Sequence, residues 1–264
     1  NVYLADIREP GDTARSVQLD VTDLERTKST LRRLAPDVII HAAGNKNVRY
    51  CEANPEYAYE TNSVGTMNVA RACRECGARM VYLSTDLVFD CRRGKYREDE
   101  TPIPGTIYGK TKLQGEKFAL EELGDVVICR SGGIYGKGSP LLNWLKGQLE
   151  AGKAVDCFTD VFNTPTYAIN LAEMIHAVIR KDLKGIFHTV GSQRVNRFEL
   201  FHSFADVFGL DAGLLVPEAA GEKRSELLLQ PDASLSIEYT AEKLGTGFDS
   251  LSEGMNRLLD GGGL

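Results

Sequence analysis

The sequence lacks a basic excess: 31 Lys and Arg stand against 37 Asp and Glu, a net charge of -6 over 264 residues. With no surplus cation to displace counterions, a general nucleic-acid binder is not expected. No apolar run approaches the roughly 20 residues that a membrane span needs, and the first residues show no basic-then-apolar signal. The expectation is a soluble, cytoplasmic protein with neither nucleic acid nor membrane as a partner. Cysteine is sparse and scattered, at 51, 73, 76, 91, 129 and 157, unlike the dense frameworks of small secreted domains. Cys73-Arg-Glu-Cys76 has ligand spacing but no second pair, and His41, His176, His188 and His202 form no metal-binding pattern, so no metal site is expected. Repeats are absent, and the final Gly261 to Gly263 is the one low-complexity stretch.

What is there is an alternation of short apolar runs with amphipathic stretches, in a chain that is 42% hydrophobic and 26% charged. That alternation predicts an α/β fold, a parallel sheet covered by helices. Strands are expected at Val2–Ile7, Val17–Leu19, Asp37–His41, Met80–Ser84 and Val126–Arg130. Thr22-Asp-Leu-Glu25 has the spacing of a capping box before a helix to Leu34. Asn54-Pro55 and Ser139-Pro140 each place a cap and a first-turn proline, for helices to Cys76 and Leu149. Tyr108 to Leu123 reads as a further helix stopped at Gly124. After about residue 152 shorter elements follow, with helices near 167–180, 197–208 and 250–259 and strands near 186–190 and 214–216. The expected division is a dinucleotide-binding domain over 1–152 and a substrate-binding lobe over 153–264.

The opening residues Asn1 to Asp6 read as the second strand of a doubly wound, Rossmann-type sheet, ending in an acid suited to ribose hydroxyls. In such a sheet the first strand lies between the second and the fourth. Its absence would leave unpaired backbone on both sides. A preceding βα unit of roughly 20–30 residues, carrying the glycine-rich turn, is therefore expected to belong to the native protein.

Tyr108-Gly-Lys-Thr-Lys112 sets a phenol and an ammonium four residues apart on one helix face. Upstream, the strand Met80–Ser84 delivers Thr85 and Asp86 at its carboxyl end, where ligands meet open α/β sheets. A phenol titrates near ~10 in isolation, and an adjacent ammonium favours the phenolate. Tyr108 could thus exchange a proton with a sugar hydroxyl or ketone, with Thr85 bonded to the same oxygen.

These pieces together resemble the extended short-chain dehydrogenase/reductase family, in its nucleotide-sugar branch. The carrying motifs are Val2 to Asp6, Leu19-Asp20-Val21, His41-Ala42-Ala43-Gly44, Glu60-Thr-Asn62 with Gly65-Thr-Met-Asn68, Ser84-Thr85-Asp86, Tyr108/Lys112 and Arg130-Ser-Gly-Gly133-Ile-Tyr-Gly136. The resemblance implies catalysis by Thr85, Tyr108 and Lys112. It implies that Asp6, Ile7, Arg8, Asp20, Val21, Ala42, Ala43, Gly44, Asn62, Tyr108, Lys112 and Gly133 contact a nicotinamide dinucleotide. Substrate, a nucleotide-diphosphate sugar, is expected at Lys46, Val48, Thr85, Asp86 and Asn143. A free 2′-hydroxyl suits Asp6, so NAD(H) is favoured, and Arg8 leaves NADP(H) open. A homodimer packed through the 55–76 and 107–123 helices is implied as well.

Within the branch, Ser84-Thr-Asp-Leu-Val-Phe89, Tyr108 to Lys117 and Asp160 to Thr166 look most like dTDP-4-dehydrorhamnose reductases. Two departures concern the substrate wall: Gly133 stands where a tryptophan is expected, and Asn163-Thr164 displaces the glycine before Pro165. The stretch from His41 to Pro55 instead looks like UDP-N-acetylhexosamine 4,6-dehydratases. Dehydration needs a proton carrier just after Thr85-Asp86, and Leu87 cannot be one. The function expected is reduction of a nucleotide-activated 4-keto sugar. The alternatives are a 4-epimerase, a 4,6-dehydratase or a non-catalytic, cofactor-binding regulatory subunit like that of methionine adenosyltransferase. Trp144 reads as core, and Cys91 to Arg97 as an exposed loop.

Overall fold

The computed structural model describes residues 1–8, 15–245 and 247–264. By internal contacts the chain forms two compact units, one of residues 1–84 and 104–129, the other of 85–103 and 130–264.

In the first unit, β1 (Leu4–Asp6) pairs in parallel with β2 (Ser16–Gln18), with Leu4 opposite Ser16 and Asp6 opposite Gln18. Helix α1 (Leu24–Leu34) follows. Its cap is Asp23, whose carboxylate accepts the Arg26 N–H, rather than Thr22. Thr22 instead turns back and donates to Asp20, so the cap lies one residue later than expected and the expected capping box does not form, the residue three after Asp23 being Arg26. Strand β3 (Val38–His41) leads to the short helices α2 (Val48–Ala53) and α3 (Pro55–Tyr59). The expected helix from Pro55 to Cys76 is helical throughout but not a single α-helix. A π-helical turn over Glu60–Val64 separates α3 from α4 (Gly65–Cys76). Asn54 caps nothing with its side chain, and Pro55 alone marks the start.

Strand β4 (Arg79–Thr85) pairs in parallel with β3, Val38 opposite Arg79 and His41 opposite Tyr82. Helix α5 (Ile107–Leu123) begins at Thr106, whose hydroxyl accepts the Gly109 N–H, and β5 (Val127–Ser131) lies beside β4. Helix α4 packs between α1 and α5, burying Val69, Ala70 and Cys73, with Leu31 contributed by α1. Glu75 ties α4 to Lys28 of α1 at 2.7 Å. At Gly115 α5 comes close to its neighbours. A Cβ there would lie 2.6 Å from the Tyr82 hydroxyl and 2.9 Å from the Asn62 carbonyl.

The second unit contains β6 (Ile134–Tyr135), α6 (Pro140–Glu150), β7 (Val155–Phe158), β8 (Phe162–Asn163), β9 (Thr166–Tyr167) and α7 (Ala168–Arg180). It continues with β10 (Gly185–His188), β11 (Val195–Asn196), α8 (Arg197–Phe208), β12 (Leu215–Glu218), α9 (Lys223–Glu226), α10 (Glu238–Leu244) and α11 (Leu251–Asp260). Pairing is parallel for β6–β9 and β7–β12 and antiparallel for β8–β11. The core gathers Leu142, Leu145 and Leu149 of α6, Phe201 and Phe204 of α8, and Met255 and Leu258 of α11. True capping boxes close the starts of α8 (Asn196/Glu199) and α11 (Ser250/Glu253). Among the described residues no helix is long and apolar enough to cross a membrane.

Candidate functional site

The two units carry different parts of the expected site. In the first, α5 presents Tyr108 half-buried and Lys112 buried, one helical turn apart. The Lys112 ammonium donates to the Leu83 carbonyl at 2.7 Å and lies 4.2 Å from the centre of the Tyr82 ring. Burial pulls the Lys112 pKa down to about 7, and the nearby Glu116 opposes the shift. Tyr82 is fully buried, and burial holds its phenol well above the usual range. His41 stacks on that ring at 5.4 Å and sits 3.1 Å from the Thr66 hydroxyl. Burial and then the Lys112 charge lower the His41 pKa to about 3, so its imidazole is neutral at physiological pH.

The π-helical turn has a visible consequence. It turns Asn62 inward, where its amide donates to the Asn45 carbonyl and to the Thr111 hydroxyl, both at 3.1 Å. Its carbonyl oxygen accepts the Asn45 N–H at 2.7 Å. Asn62 thereby joins the loop after β3 to the turn of α5 that lies between Tyr108 and Lys112. A side chain at Gly44 would collide with Asn62 Oδ1, at 2.8 Å from its Cβ. Ala42, Ala43 and Gly44 are exposed at the end of β3, Lys46 is exposed and Val48 half-buried.

Asp6, Ile7 and Arg8 are exposed. Asp6 accepts the Arg8 N–H at 2.9 Å and both guanidinium donors at 3.0 Å, and this pairing holds its carboxyl at about 2. The Leu19 N–H donates to the Asp6 carbonyl at 2.8 Å, so the Asp6 and Asp20 segments adjoin. The Val21 carbonyl accepts from Asn68 at 3.0 Å.

In the second unit, Thr85 is buried and donates its hydroxyl proton to Asp86 Oδ1 at 2.9 Å. The Asp86 carboxyl is packed so closely on Gly132 that a Cβ there would meet Oδ2 at 2.3 Å. Gly133 takes a positive φ of 51°, and the Asn163 amide fills the place of its missing side chain, 2.8 Å from an added Cβ. The two departures from the expected substrate wall are thus one packing solution, in which a small residue at 133 makes room for Asn163. Asn143 is exposed on α6. Trp144, expected in the core, is 49% exposed and leans on Phe201 at 6.3 Å, because the face of α6 that packs inward is Leu142, Leu145 and Leu149. The expected exposed loop is partly buried too: Cys91 and Tyr96 are buried, and Tyr96 stacks on Phe89 at 4.5 Å.

Sequence reasoning missed the buried Glu116, which accepts a hydrogen bond from the Ser84 hydroxyl. Its spacing of four residues from Lys112 and eight from Tyr108 was the available signal. Cys73 and Cys76 form no disulfide, and burial pushes the Cys73 thiol up to about 12, which leaves it inert.

Asp86 makes stability depend on pH. Burial raises its carboxyl from 3.8 to about 7. Below the unfolded value both states hold the proton. As pH rises towards the folded value, the unfolded chain releases it first, and the folded state loses stability across that window. Asp86→Asn keeps an acceptor for Thr85 without the charge. Its Tm relative to the parent is expected to rise between acid pH and pH about 8, as measured by calorimetry at the two pH values. A constant difference would mean that the carboxyl is not held neutral.

Residues 6–261 match the family described as RmlD substrate binding domain. A relative named probable low-salt glycan biosynthesis reductase Agl14, from Haloferax volcanii, is 32% identical over 250 residues, 91% of this chain and 83% of that protein. Methionine adenosyltransferase 2 subunit beta of Xenopus tropicalis is 31% identical over 211 residues, 75% of this chain. The match spans 63% of that protein's length. Among solved structures, dTDP-4-dehydrorhamnose reductase from Bacillus anthracis, in complex with NADP, superposes with a TM-score of 0.85 at 26% identity. The match covers 92% of this chain and 87% of the other. The doubly wound α/β architecture expected from the sequence is the fold that this chain shares with that reductase.

Proposed function

Because the chain belongs to the RmlD substrate binding domain family, we propose that it reduces the 4-keto group of a nucleotide-activated deoxy sugar. The observation that carries this reading is the intact set on α5 and at the end of β4. Tyr108 and Lys112 lie one turn apart on α5, the ammonium is anchored on the Leu83 carbonyl, and Thr85 closes β4.

A nicotinamide dinucleotide fits the donors and acceptors present. The exposed Asp6 carboxylate suits ribose hydroxyls, and the Ala42 to Gly44 segment is exposed at the end of β3, with Gly44 set close against Asn62. When bound, the reduced cofactor supplies the hydride for carbon 4. Tyr108 gives the proton to the carbonyl oxygen, and Lys112 favours the phenolate that remains. Thr85 orients the oxygen, and Asn62 holds the helical turn between the tyrosine and the lysine. NAD(H) is the cofactor we favour. Arg8, which already pairs with Asp6, is the residue that would serve a 2′-phosphate of NADP(H). The substrate binds through Lys46, Val48, Asp86 and Asn143 in this reading, and the protein acts as a homodimer.

The test is a supply of dTDP-4-keto-6-deoxyglucose with NADH or NADPH, followed by loss of the reduced-cofactor absorbance and by identification of the sugar product. Turnover is expected, and its absence with every keto sugar nucleotide would sink the reading. A second reading, a non-catalytic binding subunit, draws on the likeness to methionine adenosyltransferase 2 subunit beta. Absence of turnover together with a stable protein partner would favour it. Cofactor that stays bound through turnover, with the sugar returned as its C4 epimer, would mark an epimerase instead.

A further inference from the structure

One buried acidic side chain is left without a task by the mechanism above. Glu116 lies on the same face of α5 as Tyr108 and Lys112 and is 2% exposed, against 5% for Lys112. The two residues grip consecutive positions of β4. The Lys112 ammonium donates to the Leu83 carbonyl, and Glu116 accepts the Ser84 hydroxyl. Carboxylates and ammonium groups are costly to bury unless each meets donors, acceptors and opposite charge. Here one short stretch of strand supplies the polar partners, and the helix supplies both charges.

The groups facing Lys112 come from two strands and its own helix. His41 from β3 is neutral, and Tyr82 from β4 is an un-ionised phenol offering its ring face. Tyr108 and Glu116 share α5 with it, and both act electrostatically on Tyr82. Among these groups Glu116 is the one carboxylate, and it is the group that works against the effect of burial on Lys112.

We propose that Glu116 is a positioning residue that keeps Lys112 an ammonium and fixes it against the end of β4. Its influence on turnover rests on the reductase reading, whereas its influence on the charge of Lys112 does not. Without the carboxylate, Lys112 sheds its proton at lower pH, and Tyr108 loses the neighbouring charge that favours its phenolate.

The experiment is a titration of the full-length protein carrying 13Cε-labelled lysine, followed by NMR. The Lys112 signal is the one lost in Lys112→Arg. In Glu116→Gln its midpoint is expected to fall by about one pH unit or more, and in Glu116→Asp by about half a unit or less. An unmoved midpoint in the glutamine variant overturns the proposal, whether or not the protein turns over a sugar. Should that variant fail to fold, Ser84→Ala serves instead. It frees the carboxylate from its strand, so the midpoint should move by a smaller amount, and a fixed midpoint there is equally fatal. In turnover, the alkaline edge of the kcat profile should move down in Glu116→Gln and return towards the parent in Glu116→Asp. A uniform loss of kcat at every pH, with the edge in place, would reduce Glu116 to a packing residue. If the parent protein reduces no keto sugar while the midpoint still moves, the reductase reading fails and the assignment of Glu116 to Lys112 stands.

Discussion

Tyr108→Phe is expected to lower kcat for keto-sugar reduction by about 10²–10⁴-fold, the range of a positioned general acid, with little change in sugar-nucleotide affinity. The substitution removes one oxygen and keeps the ring, so the packing of the first turn of α5 should survive. A general acid stabilises the transition state, where the carbonyl oxygen gains charge, far more than the ground state. The loss should therefore fall on kcat rather than KM. In the proposed mechanism Lys112 assists. Its ammonium is one turn away and anchored on the Leu83 carbonyl at 2.7 Å, and burial brings its pKa to about 7, so its charge is poised at neutral pH. Steady-state kinetics with and without the hydroxyl, together with calorimetric binding of the sugar nucleotide, make the check. Unchanged kcat would remove Tyr108 from the mechanism, and a rise in KM alone would make it a binding residue.

Gly115→Val should produce the largest loss of stability, roughly 3 kcal/mol at the upper end of overpacking costs. At roughly 2–4 °C per kcal/mol for a chain of this size class, Tm should fall by about 6–12 °C. The reason is local. A Cβ at 115 would come within 2.9 Å of the Asn62 backbone carbonyl and 3.2 Å of the Thr66 hydroxyl, besides the buried Tyr82 hydroxyl at 2.6 Å. A backbone carbonyl cannot swing aside as a flexible side chain can, so α5 must move off α4 and the π-helical turn. That movement pulls Thr111 from Asn62 and loosens the segment carrying Tyr108 and Lys112. Gly115→Ala should cost less but in the same direction. Thermal unfolding decides the matter, and a Tm equal to the parent's would mean that the helices lie farther apart in solution.

The elements themselves were legible to different degrees. Apolar runs bounded by charged and turn residues located β3, β4 and β5 to within a residue or so; β4 and β5 are buried on both faces, and such a strand can hardly be written any other way, whereas β3 keeps an apolar run although Ile40 is exposed. Helix starts were less secure. Thr22 and Asp23 are both good caps, and only the backbone path chooses Asp23. The π-helical turn at Glu60–Val64 could not be read from composition, because its residues are individually compatible with an ordinary helix. Trp144 went wrong for a related reason. A tryptophan is usually well buried, but α6 has enough leucine on its other face to cover the core without it.

By itself the sequence determined the chemistry on offer. It set a phenol and an ammonium one turn apart, placed a hydroxyl at the end of a buried strand, put an acid at the end of the first strand, and carried no basic surplus or membrane-length run. Those features follow from residue type and spacing along regular elements, which are local. Only the tertiary structure decided what burial does to them. It set the Lys112 ammonium and Glu116 against consecutive residues of β4, made His41 neutral, pressed Asp86 onto Gly132, and let Asn163 occupy the space that Gly133 leaves. Each of these depends on contacts between residues far apart in the chain, and on the desolvation such contacts impose, neither of which is written in local spacing.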